Sequence, residues 1–103
     1  MNEWSKENYL SFLEEKSTGA VYFYTPMCGT CMVASKMLMV VAEIDRKLVI
    51  GKLNLNFVPE IAKDLTIESV PCLVLIRDGE VLDMIYAFHS VPFLLDKIKS
   101  TLT

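Results

Sequence analysis

Cys28 and Cys31 are separated by Gly29 and Thr30, and two thiols at that spacing have two ordinary uses. They exchange two electrons as a dithiol-disulfide couple, or they supply half of a tetrahedral metal site. The neighbouring residues weigh between the two. Ala20–Thr25 is short, aromatic and β-branched, with Pro26 just after it, and reads as a buried strand. From Thr30 to about Asp45 there is no Gly or Pro and helix formers dominate, so a helix with unusually continuous apolar content should begin near Cys28. A sulfur at that helix N-terminus meets unpaired N–H groups and aligned peptide dipoles, which favour its anion. Cys28, the more exposed, is therefore the expected nucleophile, with a pKa below the free value of about 8.5. Cys31, one turn deeper, can reach Cys28 and resolve a mixed disulfide. A structural zinc needs four ligands, and only Cys72 and His89 remain, at no recognisable ligand spacing. Redox chemistry is favoured and no cofactor or metal is called for. A metal or iron-sulfur carrier using the same pair is the lesser alternative.

The elements around this pair can be read in order. Ser5 caps a helix to about Lys16 that is stopped by Gly19, with Tyr9, Leu10, Phe12 and Leu13 on one face and Glu3, Glu7 and Glu14 in water. Leu48 to Leu53 reads as a strand despite Gly51, and Pro59 opens a short helix through about Leu65. This β-α-β-α order implies parallel pairing. Cys72–Ile76, the Asp78-Gly79 turn and Val81–Tyr86 form an antiparallel hairpin. Ser90 and Pro92 open a last helix presenting Phe93, Leu94, Ile98 and Leu102.

The 103 residues suit a single domain, residues 1–103, and a hydrophobic content of 52% with four Gly and four Pro suits a packed core. A formal net charge of -3 leaves no basic surplus to neutralise phosphates, so nucleic acid is not an expected partner. The run Met37–Ala42 is far too short to span a bilayer, and Met1–Asn8 carries acids where a signal peptide needs basic residues. A soluble, cytoplasmic protein without membrane association is expected. Before a proline a trans bond is the ordinary case, so Val70-Pro71 alone signals little. Were it cis, the N–H and C=O of Val70 would be free for an extended peptide.

Taken together, Tyr24-Thr25-Pro26-Met27-Cys28-Gly29-Thr30-Cys31 resembles the active-site stretch of the thioredoxin family, whose usual core is Trp-Cys-Gly-Pro-Cys. Lys52-Leu53-Asn54 resembles its next strand, Leu65–Pro71 its approach to a cis-proline, and Arg77-Asp78-Gly79-Glu80 its hairpin turn. The resemblance runs from about Leu10 to the C-terminus. It implies a three-layer α/β/α sandwich with about four helices and a cis bond at Pro71. It places Cys28 at the carboxyl end of the first strand, where the strand order reverses and open α/β sheets bind ligands. Because few residues precede the first helix, a minimal four-stranded mixed sheet is expected, two parallel strands plus the antiparallel C-terminal hairpin.

The departures from the family pattern are informative. Tyr22 stands where the family carries a buried aspartate that relays the proton of the second cysteine; a phenol is a poor base, though its O–H could reach Cys31, and a plain core aromatic is the simpler reading. Lys52, deprived of that acid, must find another partner or reach water. Met27, Thr30 and Met32 replace the usual tryptophan, proline and lysine, making the mouth more apolar. Cys72 follows Pro71 and is read as a small buried residue in preference to a third redox thiol. His89 is read as a solvated loop residue. The function expected is a protein thiol-disulfide oxidoreductase serving cell redox homeostasis, with Cys28 attacking and Cys31 resolving. Met27, Gly29, Thr30, Val70 and Pro71 would contact substrate, and Tyr22, Lys52 and Cys72 would support the pair. Its partners would be protein disulfides and a thioredoxin-reductase-like electron donor, and the chain would work as a monomer. The alternative is a non-catalytic adaptor binding a partner through the apolar mouth.

Overall fold

The computed structural model describes residues 1–103. Along the chain run β1 (Asn2–Glu3), α1 (Lys6–Glu14), β2 (Gly19–Tyr24), α2 (Gly29–Ile44), β3 (Ile50–Asn54), a 3-10 turn (Leu55–Phe57), α3 (Pro59–Leu65), β4 (Cys72–Arg77), β5 (Glu80–Ile85) and α4 (Val91–Leu102). One sheet holds the order β1-β3-β2-β4-β5, with β3 parallel to both β1 and β2, and β2-β4 and β4-β5 antiparallel. The strand sequence is buried on both faces because helices cover both. Ala20 and Tyr22 of β2 and Leu73 and Leu75 of β4 point to one side, where Ala34, Leu38 and Val41 of α2 and Leu94 and Ile98 of α4 pack. Val21, Phe23, Val74 and Ile76 point to the other, onto Tyr9 and Phe12 of α1 and Ile61 of α3. The three layers expected from the sequence follow directly from this period-2 alternation.

The sheet has five strands, not four. A strand of only two residues fits before α1: Asn2 pairs with Gly51 and Glu3 with Lys52, and the Trp4 N–H donates to the Lys52 carbonyl at 2.7 Å. Gly51, which looked like a flaw in β3, is the reason the edge closes. A Cβ there would overlap the Trp4 indole, which also packs on Phe12 with ring centroids 5.1 Å apart.

The helix ends show a second difference. Ser5 caps α1 as expected, in a reciprocal box with Asn8, but Gly19 does not stop it. Lys16 takes the left-handed conformation with φ 54°, and the Ser17 N–H returns to the Phe12 carbonyl at 3.1 Å. Gly19 instead opens β2, where any Cβ would lie 2.6 Å from the Val49 carbonyl oxygen. The hairpin turn is as read: Asp78 and Gly79 both have positive φ, 54° and 81°, which a tight two-residue turn requires. Ser90 caps α4 by accepting the Phe93 N–H at 3.2 Å. No helix is long and apolar enough to cross a membrane.

Candidate active site

β2 is a central strand paired on both edges, and it delivers the chain through Thr25-Pro26-Met27 to the first residue of α2. Cys28 is the N-cap of that helix, with extended backbone, and its Sγ accepts the Cys31 N–H at 3.1 Å. A sulfur thus occupies the place where a Ser or Asp oxygen ordinarily satisfies the first free amides. Cys28 and Cys31 are joined as a disulfide with Cα atoms 5.2 Å apart. Cys28 is half-buried and faces the surface, whereas Cys31 is 3% exposed. The asymmetry means that only Cys28 can be approached from outside. Thr30 Oγ1 lies 3.4 Å from the Cys28 sulfur and the Val70 carbonyl oxygen 3.9 Å from it.

The Val70-Pro71 bond is cis, in line with the resemblance. Neither the N–H nor the C=O of Val70 enters a backbone hydrogen bond, and the carbonyl faces the Cys28 sulfur. One shallow cavity adjoins the sulfur and a second lies beside Thr30 and Pro71. The first, of about 320 Å³, is lined by Cys28, Cys31, Ser35, Lys36 and Lys52. The other, about 420 Å³ and more apolar, runs between Thr30, Met37, Pro71, Phe88 and His89. Met27, next to Cys28 in the chain, is 96% exposed, and a Cβ at Gly29 would meet nothing within 4 Å. Of the five residues expected to contact substrate, Thr30 and Val70 approach the Cys28 sulfur, Pro71 lines the more apolar cavity, and Met27 and Gly29 adjoin Cys28 in the chain.

Tyr22 is fully buried beneath the pair. Its hydroxyl donates to the Cys31 backbone carbonyl at 2.8 Å and accepts from Ser35 Oγ at 3.1 Å. It serves as core aromatic and as anchor of the first turn of α2 together, bonded to the peptide of Cys31, not to its sulfur. Burial raises its pKa, with Ser35 acting in the opposite sense, so at neutral pH it stays a donor. Lys52 has found its partner in the short first strand: its Nζ is 3.9 Å from Glu3 Oε1 and 4.9 Å from the centroid of the Tyr24 ring. The Tyr24 hydroxyl donates to both Glu3 carboxylate oxygens, at 2.8 and 2.9 Å. Burial foremost, and then this anion, push the Tyr24 pKa up to about 12. Tyr22 and Tyr24 stack with ring centroids 5.8 Å apart, linking the Glu3 cluster to the Cys31 anchor.

Cys72 is fully buried on the α1 and α3 side of the sheet. Burial pushes its thiol up to about 11 against the pull of a hydrogen bond with Tyr86, so it stays protonated at neutral pH and is no nucleophile there. His89 is exposed, with φ 56°, and its ring meets Phe93 edge-on at 4.7 Å. Neither joins the cysteine pair as a metal ligand, and no three His, Cys, Asp or Glu side chains converge anywhere. The sequence reading missed Ser35, Tyr24 and Glu3. Ser35 had a local signal, lying one helical turn after Cys31; Glu3 had none, because a two-residue strand brings it in from another segment.

The Thioredoxin family model matches residues 1–100. The thioredoxin-like protein YusE of Bacillus subtilis (strain 168) is 44% identical over 94 residues, covering 91% of this chain and 88% of that protein. Among solved structures, a single-site mutant of the thioredoxin from Halobacterium salinarum NRC-1 superposes with a TM-score of 0.85 at 20% identity, covering all of this chain and 90% of the other. Oxidised mitochondrial thioredoxin 3 of Saccharomyces cerevisiae gives 0.84 at 20% identity, covering 97% and 94%. These two structures, at that identity, speak to the fold.

Proposed function

The chain belongs to the thioredoxin family, and from that premise we propose that it is a thiol-disulfide oxidoreductase that reduces protein disulfides through Cys28 and Cys31. The observation that carries this reading is the placement of Cys28. Its sulfur is the helix cap, receives an N–H, and is the accessible member of a bonded pair. In the reduced protein the same amide and the dipole of α2 favour its thiolate.

The thiolate attacks one sulfur of a substrate disulfide, forming a Cys28-substrate bond and expelling the other substrate sulfur as a thiolate that takes a proton from water. The Cys31 thiol gives up its proton and attacks the Cys28 sulfur. The mixed disulfide breaks, the second substrate thiol leaves, and the Cys28-Cys31 disulfide remains. Two electrons have passed from protein to substrate, and a dithiol donor of the thioredoxin-reductase type returns them. The N–H and C=O of Val70 hold the substrate backbone in extended form, with Met27, Gly29, Thr30 and Pro71 around it. The work belongs to cell redox homeostasis in the cytoplasm.

The test is a pair of variants assayed for reduction of insulin disulfides. Cys28→Ser should lose turnover altogether, whereas Cys31→Ser should accumulate a covalent substrate adduct visible by mass spectrometry. Turnover retained without the Cys28 sulfur would sink the reading. Retention of partner binding by Cys28→Ser/Cys31→Ser, with no redox activity in the parent chain, would favour the adaptor.

A further inference from the structure

α2 buries Cys31, Ala34, Leu38 and Val41 against the sheet, so its opposite side faces water and should be polar. It is not. Val33 is 57% exposed, Val40 47% and Ile44 61%, with Met32 and Met39 also in the open. Lys36 and Glu43 are the only charged residues in the sixteen of α2. Val33, Met37, Val40 and Ile44 follow the alternating four-and-three stagger by which one helix seams against another, Met37 being half-buried against the core. Lys36 and Glu43 each precede a seam residue by one position, two helical turns apart, and so lie on one flank of it.

From this pattern the geometry points to a homodimer in which the α2 helices of two copies pack antiparallel about a two-fold axis. In that register Val33 meets Ile44 of the second copy and Met37 meets its Val40. Lys36 of each copy comes beside Glu43 of the other, so the same ion pair forms twice. A parallel pairing forms neither ion pair and sets each charge against apolar residues. The sequence of α2 is thus complementary to itself reversed, which a surface shaped for an unrelated partner has no reason to be. Glu43 is already paired with Arg46 at 3.0 Å, but both side chains are largely exposed, and such a pair exchanges at little cost.

The apolar face also continues beyond one helix. Ile44 shares a cavity of about 550 Å³ with Leu48, Leu95 and Leu102, so the flank of α4 adds to the contact. Even so, an interface built mainly on one helix belongs to the weak, concentration-dependent class. Cys28 caps α2, and antiparallel packing carries the two redox sites to opposite ends of the paired helices. This reversible dimer departs from the monomer expected from the sequence, and because Val33 and Met37 also line the cavity beside Thr30 and Pro71, it covers part of that cavity.

Sedimentation equilibrium of the full chain, from low micromolar to near-millimolar concentration, tests it. The mass should rise from one chain toward two. Lys36→Glu and Glu43→Lys should each weaken association by roughly tenfold, and Lys36→Glu/Glu43→Lys together should restore it, because the exchanged charges meet again across the axis. Val40→Asp should leave a monomer with an unchanged circular dichroism spectrum and melting temperature. A wild-type chain that stays single throughout would overturn the proposal. A dimer in which the double reversal is as weak as the two single changes combined would overturn the antiparallel register.

Discussion

The Tyr22 hydroxyl donates to the backbone carbonyl of Cys31 at 2.8 Å, from a position with no solvent exposure. A buried phenol therefore ties the central strand to the helix that carries both cysteines. It does so where the family pattern has a carboxylate, and it holds the peptide of the resolving residue without adding a charge beside it.

Tyr22→Phe should keep the aromatic packing and lose this bond together with the partner of Ser35 Oγ. Denaturant titration should show a loss of about 1 to 2 kcal/mol, the cost of deleting a buried hydrogen bond and orphaning its neighbour. Ser35→Ala should cost less, and the two changes should not add. An unchanged midpoint in Tyr22→Phe would mean that the hydroxyl anchors nothing.

Glu3→Gln removes the anion beside Tyr24 but leaves the ring half-buried. The ultraviolet titration of Tyr24, pushed up to about 12 in the parent chain, should move part of the way back toward 10 and not all of it, since burial is the larger cause. No movement would deny Glu3 any part in the site.

Gly51→Ala sets a methyl group where the Trp4 indole lies. The edge strand should detach, with a loss of about 1 to 3 kcal/mol as for other overpacked sites. Trp4 is the only tryptophan, so its emission should shift to the red in the folded variant. Unaltered emission would show that the ring packs elsewhere.

Cys72 governs part of the alkaline limb of stability. Its ordinary pKa of 9.0 is pushed up to about 11 in the folded chain. The unfolded chain therefore releases this proton first, and stability, complete below pH 9.0, declines as pH rises toward about 11. Replacing Cys72 with Ala should flatten that decline between the two values while costing some packing at every pH. Equal slopes in parent and variant would show that this thiol does not contribute.

Much of this was legible from residue type and spacing. The cysteine pair fell between a strand and a helix, Pro71 preceded β4, and Asp78-Gly79 announced the hairpin, since each of these signals is local. The contacts that were not legible join distant segments. A strand of two residues has no period to read, so β1 was missed, and with it Glu3 as the companion of Lys52 and Tyr24. Gly51 read as a weak strand residue because the ring that needs its bare surface comes from Trp4. Gly19 read as a helix stop because Gly commonly is one, whereas here close approach to Val49 decides its identity and Lys16 makes the turn. The long apolar run of α2 was visible in the sequence, but which half of it faces water was not.

The most direct measurement is the rate of Cys28 alkylation by iodoacetamide in the reduced protein as a function of pH, with modification read by mass spectrometry. A sulfur held as an anion at the N-terminus of α2 should react at near its full rate already below neutral pH. A rate that climbs only through about 8.5, as for cysteine in a flexible peptide, or a Cys28 that resists the reagent at every pH, would contradict the account.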